Sequence, residues 1–191
     1  MINAAVSHLA AQLNQFLKQS YALTEDIVTM SGLVDAEGRP APNTNNKLVM
    51  FLTNLEKDTV PYRQHLPGDA GATRAVVSSA PLYLNLYVML AANFSSANYA
   101  EALKLISGAI AYFQRFPVFD HQVTPGMDTR IEKLMLDIEN LKIHELSNMW
   151  TLLGGKYLPS VLYKVRMVAF DNDDIIARVP TVRLPSSAAN H

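Results

Sequence analysis

The chain has 191 residues, enough for one domain with its own hydrophobic core and too few for two full ones. Hydrophobic residues make up 49% and charged residues 17%, a globular composition lean in charge, which points to surface spent on partners. A net charge of −1 leaves no electrostatic footprint for nucleic acid or anionic lipid, and the absence of cysteine excludes disulfides, thiolate metal sites and a cysteine nucleophile.

The opening Met1-Ile2-Asn3-Ala4 lacks the basic and apolar regions of a secretory signal, and no stretch is apolar for the length of a bilayer, so cytoplasmic synthesis is expected. From 2 to 18, Ile2, Val6, Leu9, Leu13, Phe16 and Leu17 fall three or four apart, the period of a helix with one buried stripe. Residues 26–33 are rich in β-branched side chains and read as a strand. Residues 47–55 set Val49, Phe51 and Leu55 against Leu48, Met50 and Leu52; both faces are apolar, which predicts a central strand. Pro40 and Pro42 make the intervening 38–43 a loop.

Residues 58–80 hold Pro61, Pro67, Gly68 and Gly71 among polar residues, an extended insertion expected to meet a partner. The clearest strand is 81–94, where Leu82, Leu84, Leu86, Val88 and Leu90 alternate with Tyr83, Asn85, Tyr87 and Met89. Tyr83 and Tyr87 either pack beneath a helix or line an interface, since tyrosine is enriched at both. Asn98, three residues before Glu101, predicts a capping box, and Tyr99, Leu103, Ile106, Ile110 and Phe113 form a helical stripe that Pro117 ends.

Residues 130–141 place Leu134, Leu136 and Ile138 inward and Lys133, Asp137 and Glu139 outward, a strand suited to a sheet edge. A short helix over 143–153 is expected to bury Leu146, Met149, Trp150 and Leu153 and to stop at Gly154-Gly155. The area of an indole ring favours a core role for Trp150 over a contact role. A final strand covers 160–170. The reading is therefore α/β (α+β): one mixed, largely antiparallel sheet of about four to five strands against about two to three helices in a domain over 1–170, followed by an extended tail over 171–191.

No residue is nominated as catalytic, cofactor-binding or metal-binding. His8, His65, His121, His144 and His191 lie far apart without a second ligand at helical or hairpin spacing, and no serine sits in a G-x-S-x-G elbow. Gly154-Gly155-Lys156 lacks the earlier glycine of a phosphate loop and reads as a helix stop. Asp171-Asn172-Asp173-Asp174 opens like a calcium loop, but Ile176 and Val182 stand where glycine and glutamate belong, so a solvated acidic turn is the better account.

Four segments together carry a family likeness: LNLYVMLAANF (84–94), YAEAL (99–103), IAYFQRFPVF (110–119) and MWTLLGGKYLPSVLYKVRM (149–167). The chain resembles the cap, or tail-terminator, proteins of extracellular contractile injection systems of the antifeeding-prophage and virulence-cassette type. The last segment is the most specific, through Trp150, Gly154, Gly155, Lys156, Tyr157, Pro159, Ser160 and Tyr163. The resemblance implies a tail-terminator-like fold and a homo-hexameric ring that ends the inner tube and binds the last sheath ring, with no catalysis, cofactor, nucleic acid or membrane. It also implies assembly in the cytoplasm into a particle that is then released. A non-enzymatic adaptor or baseplate-associated module of the same particle is the alternative, and a hydrolase whose site only the fold assembles is the third reading. In the tail, Val179, Val182 and Leu184 are candidates for contact with sheath or a neighbouring copy by strand addition, against a disordered terminus interrupted by Pro180 and Pro185.

Overall fold

A computed structural model of the chain describes residues 1–35, 37–58, 74–78, 82–154, 156–169 and 175–180. The elements are α1 (Ile2–Tyr21), β1 (Val28–Met30), β2 (Lys47–Lys57), β3 (Arg74–Ser78), β4 (Leu82–Asn93), α2 (Tyr99–Arg115), β5 (Val118–Asp120), β6 (Ile131–Ile138), α3 (Ile143–Leu152), β7 (Ser160–Ala169) and β8 (Ile175–Pro180). Six strands form one sheet in the order β1-β2-β4-β7-β6-β5, and β3 pairs with β8 in a separate two-stranded ribbon. Among the described residues, β1 and β2 alone run parallel and every other strand pair is antiparallel.

The three longest strands are those whose apolar runs are strongest, and they occupy the middle of the sheet. On one face α1 and α2 cover Leu48, Met50, Leu86, Val88, Leu90, Leu134, Tyr163, Val165 and Met167 in the main core. The α1 helix contributes Ala5, Val6, Leu9, Leu13 and Leu17, and its C-terminus is closed by Ala22 at φ 52° with Leu23 N donating to the Lys18 carbonyl at 3.1 Å. Asn14 Oδ1 accepts from Ile27 N at 2.9 Å and Val28 N at 3.1 Å, which ties the helix to β1. The α1–α2 approach is tight at Gly108, where a Cβ would stand 2.6 Å from the Tyr21 hydroxyl oxygen and the Tyr21 side chain would have to shift.

Several expectations are corrected. The sheet has six strands, because the three-residue β5 follows directly on Pro117 and is too short to show a period. With β5 on its flank, β6 is second from the edge. The buried side of α2 is Ala102, Leu105, Ile106, Ala109, Tyr112 and Phe113, so the expected stripe is rotated and Tyr99 and Leu103 are exposed. Two of these buried residues are alanines, Ala102 and Ala109, and alanine barely registers in a hydrophobic pattern. No side chain caps α2; Asn98 Nδ2 donates to Asn46 Oδ1 at 3.3 Å instead. In α3 only Trp150 is fully buried, with Leu146, Met149 and Leu153 partly so. The insertion over 58–80 contains β3.

Candidate functional site

Strand alternation sends every second residue of β2, β4 and β7 to the face away from α1 and α2. There, α3 crosses one end of the sheet and closes a second, smaller core of Val49, Phe51, Met89, Ala91, Trp150, Leu158 and Leu162. Trp150 is 3% exposed and meets the Tyr157 ring edge-on at 5.9 Å, while its indole nitrogen has no hydrogen-bond partner among the described residues. Gly154 stops the helix at φ 100°, a left-handed conformation that glycine adopts without strain. Gly155 lies outside the described residues. The chain then exposes Lys156 and Tyr157, buries Leu158, and locks onto β4 where the Pro159 carbonyl accepts from Ala92 N at 2.8 Å. Ser160 opens β7 opposite Ala91.

Tyr163 points the other way. It is 3% exposed in the main core, edge-on to Phe113 at 5.2 Å, and burial pushes its phenol well above the ordinary range. The residues of this segment are thus divided: Trp150 and Leu158 hold α3, Tyr163 belongs to the opposite core, and Lys156 and Tyr157 face outward.

Beyond the end of α3 the same face becomes polar. Tyr87 is half-buried; its hydroxyl donates to Glu56 Oε2 at 2.9 Å, and the Lys164 ammonium lies 5.9 Å from its ring centre. The hydrogen bond to Glu56, helped by partial burial, raises the Tyr87 phenol above its usual value. The Tyr83 carbonyl accepts from Asp58 N at 3.0 Å, and Arg166 Nη2 reaches Asp58 Oδ2 at 2.9 Å. Asn85 is buried opposite Arg166, with Oδ1 unpartnered among the described residues. Both tyrosines therefore lie on one polar stretch of the sheet, with Tyr87 packed against the margin of the Trp150 cluster.

Two residues that the sequence reading passed over are the most exposed large apolar side chains of the region. Ile143 and Leu152, at the two ends of α3, are each 87% exposed, and Tyr157 is 62% exposed. The sequence carries a signal for this: α3 holds Ile143, Leu146, Met149, Trp150 and Leu152, more apolar residues than one buried stripe needs. In the tail, Val179 stands opposite Ala75 in the β3–β8 ladder, and Val182 and Leu184 lie outside the described residues. So do His65, His191 and the acidic turn at 171–174. His8 and His121 come near each other beside Phe119, and His121 Nε2 lies 2.8 Å from the Ile131 carbonyl. No group of three or more potential metal ligands occurs among the described residues, and no described helix is long and apolar enough to cross a membrane.

A sequence profile of the Pvc16 N-terminal domain matches residues 4–183. The chain belongs to the Pvc16 N-terminal domain family. Its fold is similar to that of the sheath/tube terminator of an extracellular contractile injection system, PVC, in the extended state, with a TM-score of 0.60 at 13% identity. That likeness covers 100% of this chain and 64% of the other. The tube-terminating cap of the anti-feeding prophage is also similar, with a TM-score of 0.51 at 14% identity over 92% of this chain and 58% of that one. This Pvc16-type chain thus spans less than two thirds of the length of either solved relative. A search of curated protein sequences finds no match.

Proposed function

We propose that this Pvc16-type domain is a structural cap, a tail terminator that ends the inner tube of a phage-tail-like contractile injection system. The observation that carries the reading is the family match over residues 4–183, joined to a fold shared with two tube terminators. In this reading six copies close into a ring that stops tube growth and engages the last sheath ring, and the chain acts by shape, without a cofactor, nucleic acid or membrane. Cytoplasmic assembly precedes release of the particle. The body over 1–170 forms the ring, and 171–191 is a tail available for contact.

The division of the surface supports this. The exposed Ile143, Leu152 and Tyr157 lie around α3, which Trp150 holds to the sheet, as an interface requires of its apolar anchors. A ring demands two different contact surfaces on each copy, and the polar stretch around Tyr83 and Tyr87 is the second candidate. The test is tail length. Particles produced without this chain should carry tubes of broad, overgrown length, and restoring it should return them to one length. Uniform tubes in its absence would remove the terminator role.

A further inference from the structure

The β3–β8 ribbon continues the central ladder of the sheet. The β4–β7 pairing ends at Leu82 opposite Ala169, and the same two stretches of chain, still antiparallel, pair again from Ser78 opposite Ile175 to Arg74 opposite Pro180. Residues 79–81 and 170–174 are all that separate the two ladders. The ribbon is therefore an arm rooted at one end of β4 and β7. Among the described strands it pairs only with itself, as a sheet of two. Two strands alone are marginal in water, so an arm of this kind needs something to lie against.

The same end of the sheet offers an acceptor. β1 covers β2 only from Leu48 to Met50, so from Phe51 to Lys57 the outer edge of β2 has no strand neighbour among the described residues. This stretch faces the Leu84–Met89 part of β4, toward the arm's root. Its length suits β8, at about 20 Å each. A register shift between Leu52 and Asn54, together with the charges of Glu56 and Lys57, discourages two such edges from pairing with each other.

We infer that the β3–β8 arm of one copy lies along the Phe51–Lys57 edge of β2 in the next copy. Donor and acceptor are on one chain, and among the described residues β2 pairs with β1 and β4 and not with the arm. A head-to-tail ring uses every arm and every edge once, which a two-fold dimer of edges does not. Pro180, which lacks an N–H, stands opposite Arg74 at the last pair of the ladder and so does not interrupt β8 before its end. The inference rests on the cap reading, and its test keeps the two apart.

The chain has no cysteine, so L55C and A177C can be made as separate single variants, mixed and oxidised. The expected result is a disulfide-linked pair in the mixture, ladders of higher mass from the double variant, and amide exchange at 51–57 about tenfold or more slower in rings than in dilute monomer. The exchange measurement uses the unsubstituted protein and stands even if a variant misfolds. Normal rings with no interchain link and an unprotected β2 edge would overturn the arm contact and leave the cap reading intact. Crosslinking of A177C only to sheath subunits would overturn it in favour of a sheath contact. Absence of rings, with tails of normal length made without the chain, would overturn both.

Discussion

The two faces of the central sheet are built from the same three long strands and end in different states. Under α1 and α2 the face is closed from Leu48 on β2 to Leu134 on β6, with Phe113 and Phe119 filling the space beneath the helices. Under α3 it is closed only around Trp150 and Leu158, and then gives way to Tyr83, Tyr87, Lys164 and Arg166. One face holds the fold together. The other holds a single helix in place, with Ile143 and Leu152 projecting from its outer side. A protein that works by assembly gains from this separation, because the contact surface can be shaped without disturbing the core that carries it.

The comparison breaks most visibly in the main core. Phe113→Ala, at a 2% exposed site, should cost about 3–5 kcal/mol and lower the thermal midpoint as one cooperative transition. Trp150→Ala should cost about 3 kcal/mol and act locally: hydrogen exchange should accelerate in α3 while amides of β4 and β7 keep their protection. Equal loss of protection across the whole sheet would show that the two cores unfold as one.

A smaller effect should separate the faces by pH. Burial, with a further contribution from His121, holds His8 below its ordinary value of 6.5, and its Nε2 is buried without a partner among the described residues. The unfolded chain then binds the proton more readily than the folded one. The His8 contribution is complete above that ordinary value and is lost as the pH falls through it toward the lowered folded-state value. Stability measured by denaturant from about pH 7 to about pH 5 should fall, and His8→Phe should flatten that slope. The smallest change in stability is expected for Ile143→Ser combined with Leu152→Ser, within about 0.5 kcal/mol per site, yet this pair should prevent ring formation in electron images. Intact rings would exclude the outer side of α3 from the interface.

Much of this fold is legible in the residues, and the misses share a cause. The stretches around Leu48, Leu86 and Val165 announce themselves by unbroken apolar runs, and α1 by its spacing from Val6 to Leu17. The orientation of α2 is hidden because Ala102 and Ala109, not the larger Tyr99 and Leu103, are among the buried residues. The second core is hidden because Met89 and Ala91 look no different from residues on a solvated face until α3 is seen to cross them. The β3–β8 pairing joins residues about a hundred positions apart, a contact that local pattern cannot reveal. Of the family segment, the roles of Trp150 and Tyr163 follow from strand parity and helix phase, whereas the exposure of Tyr157 depends on where Gly154 turns the chain.

The most direct test of the central claim is the position of the chain on an intact particle. A tagged copy, labelled with gold and imaged on purified particles, should mark one end of the tube, distal to the baseplate, and no other place. Label distributed along the sheath, confined to the baseplate, or absent from complete particles would contradict the account.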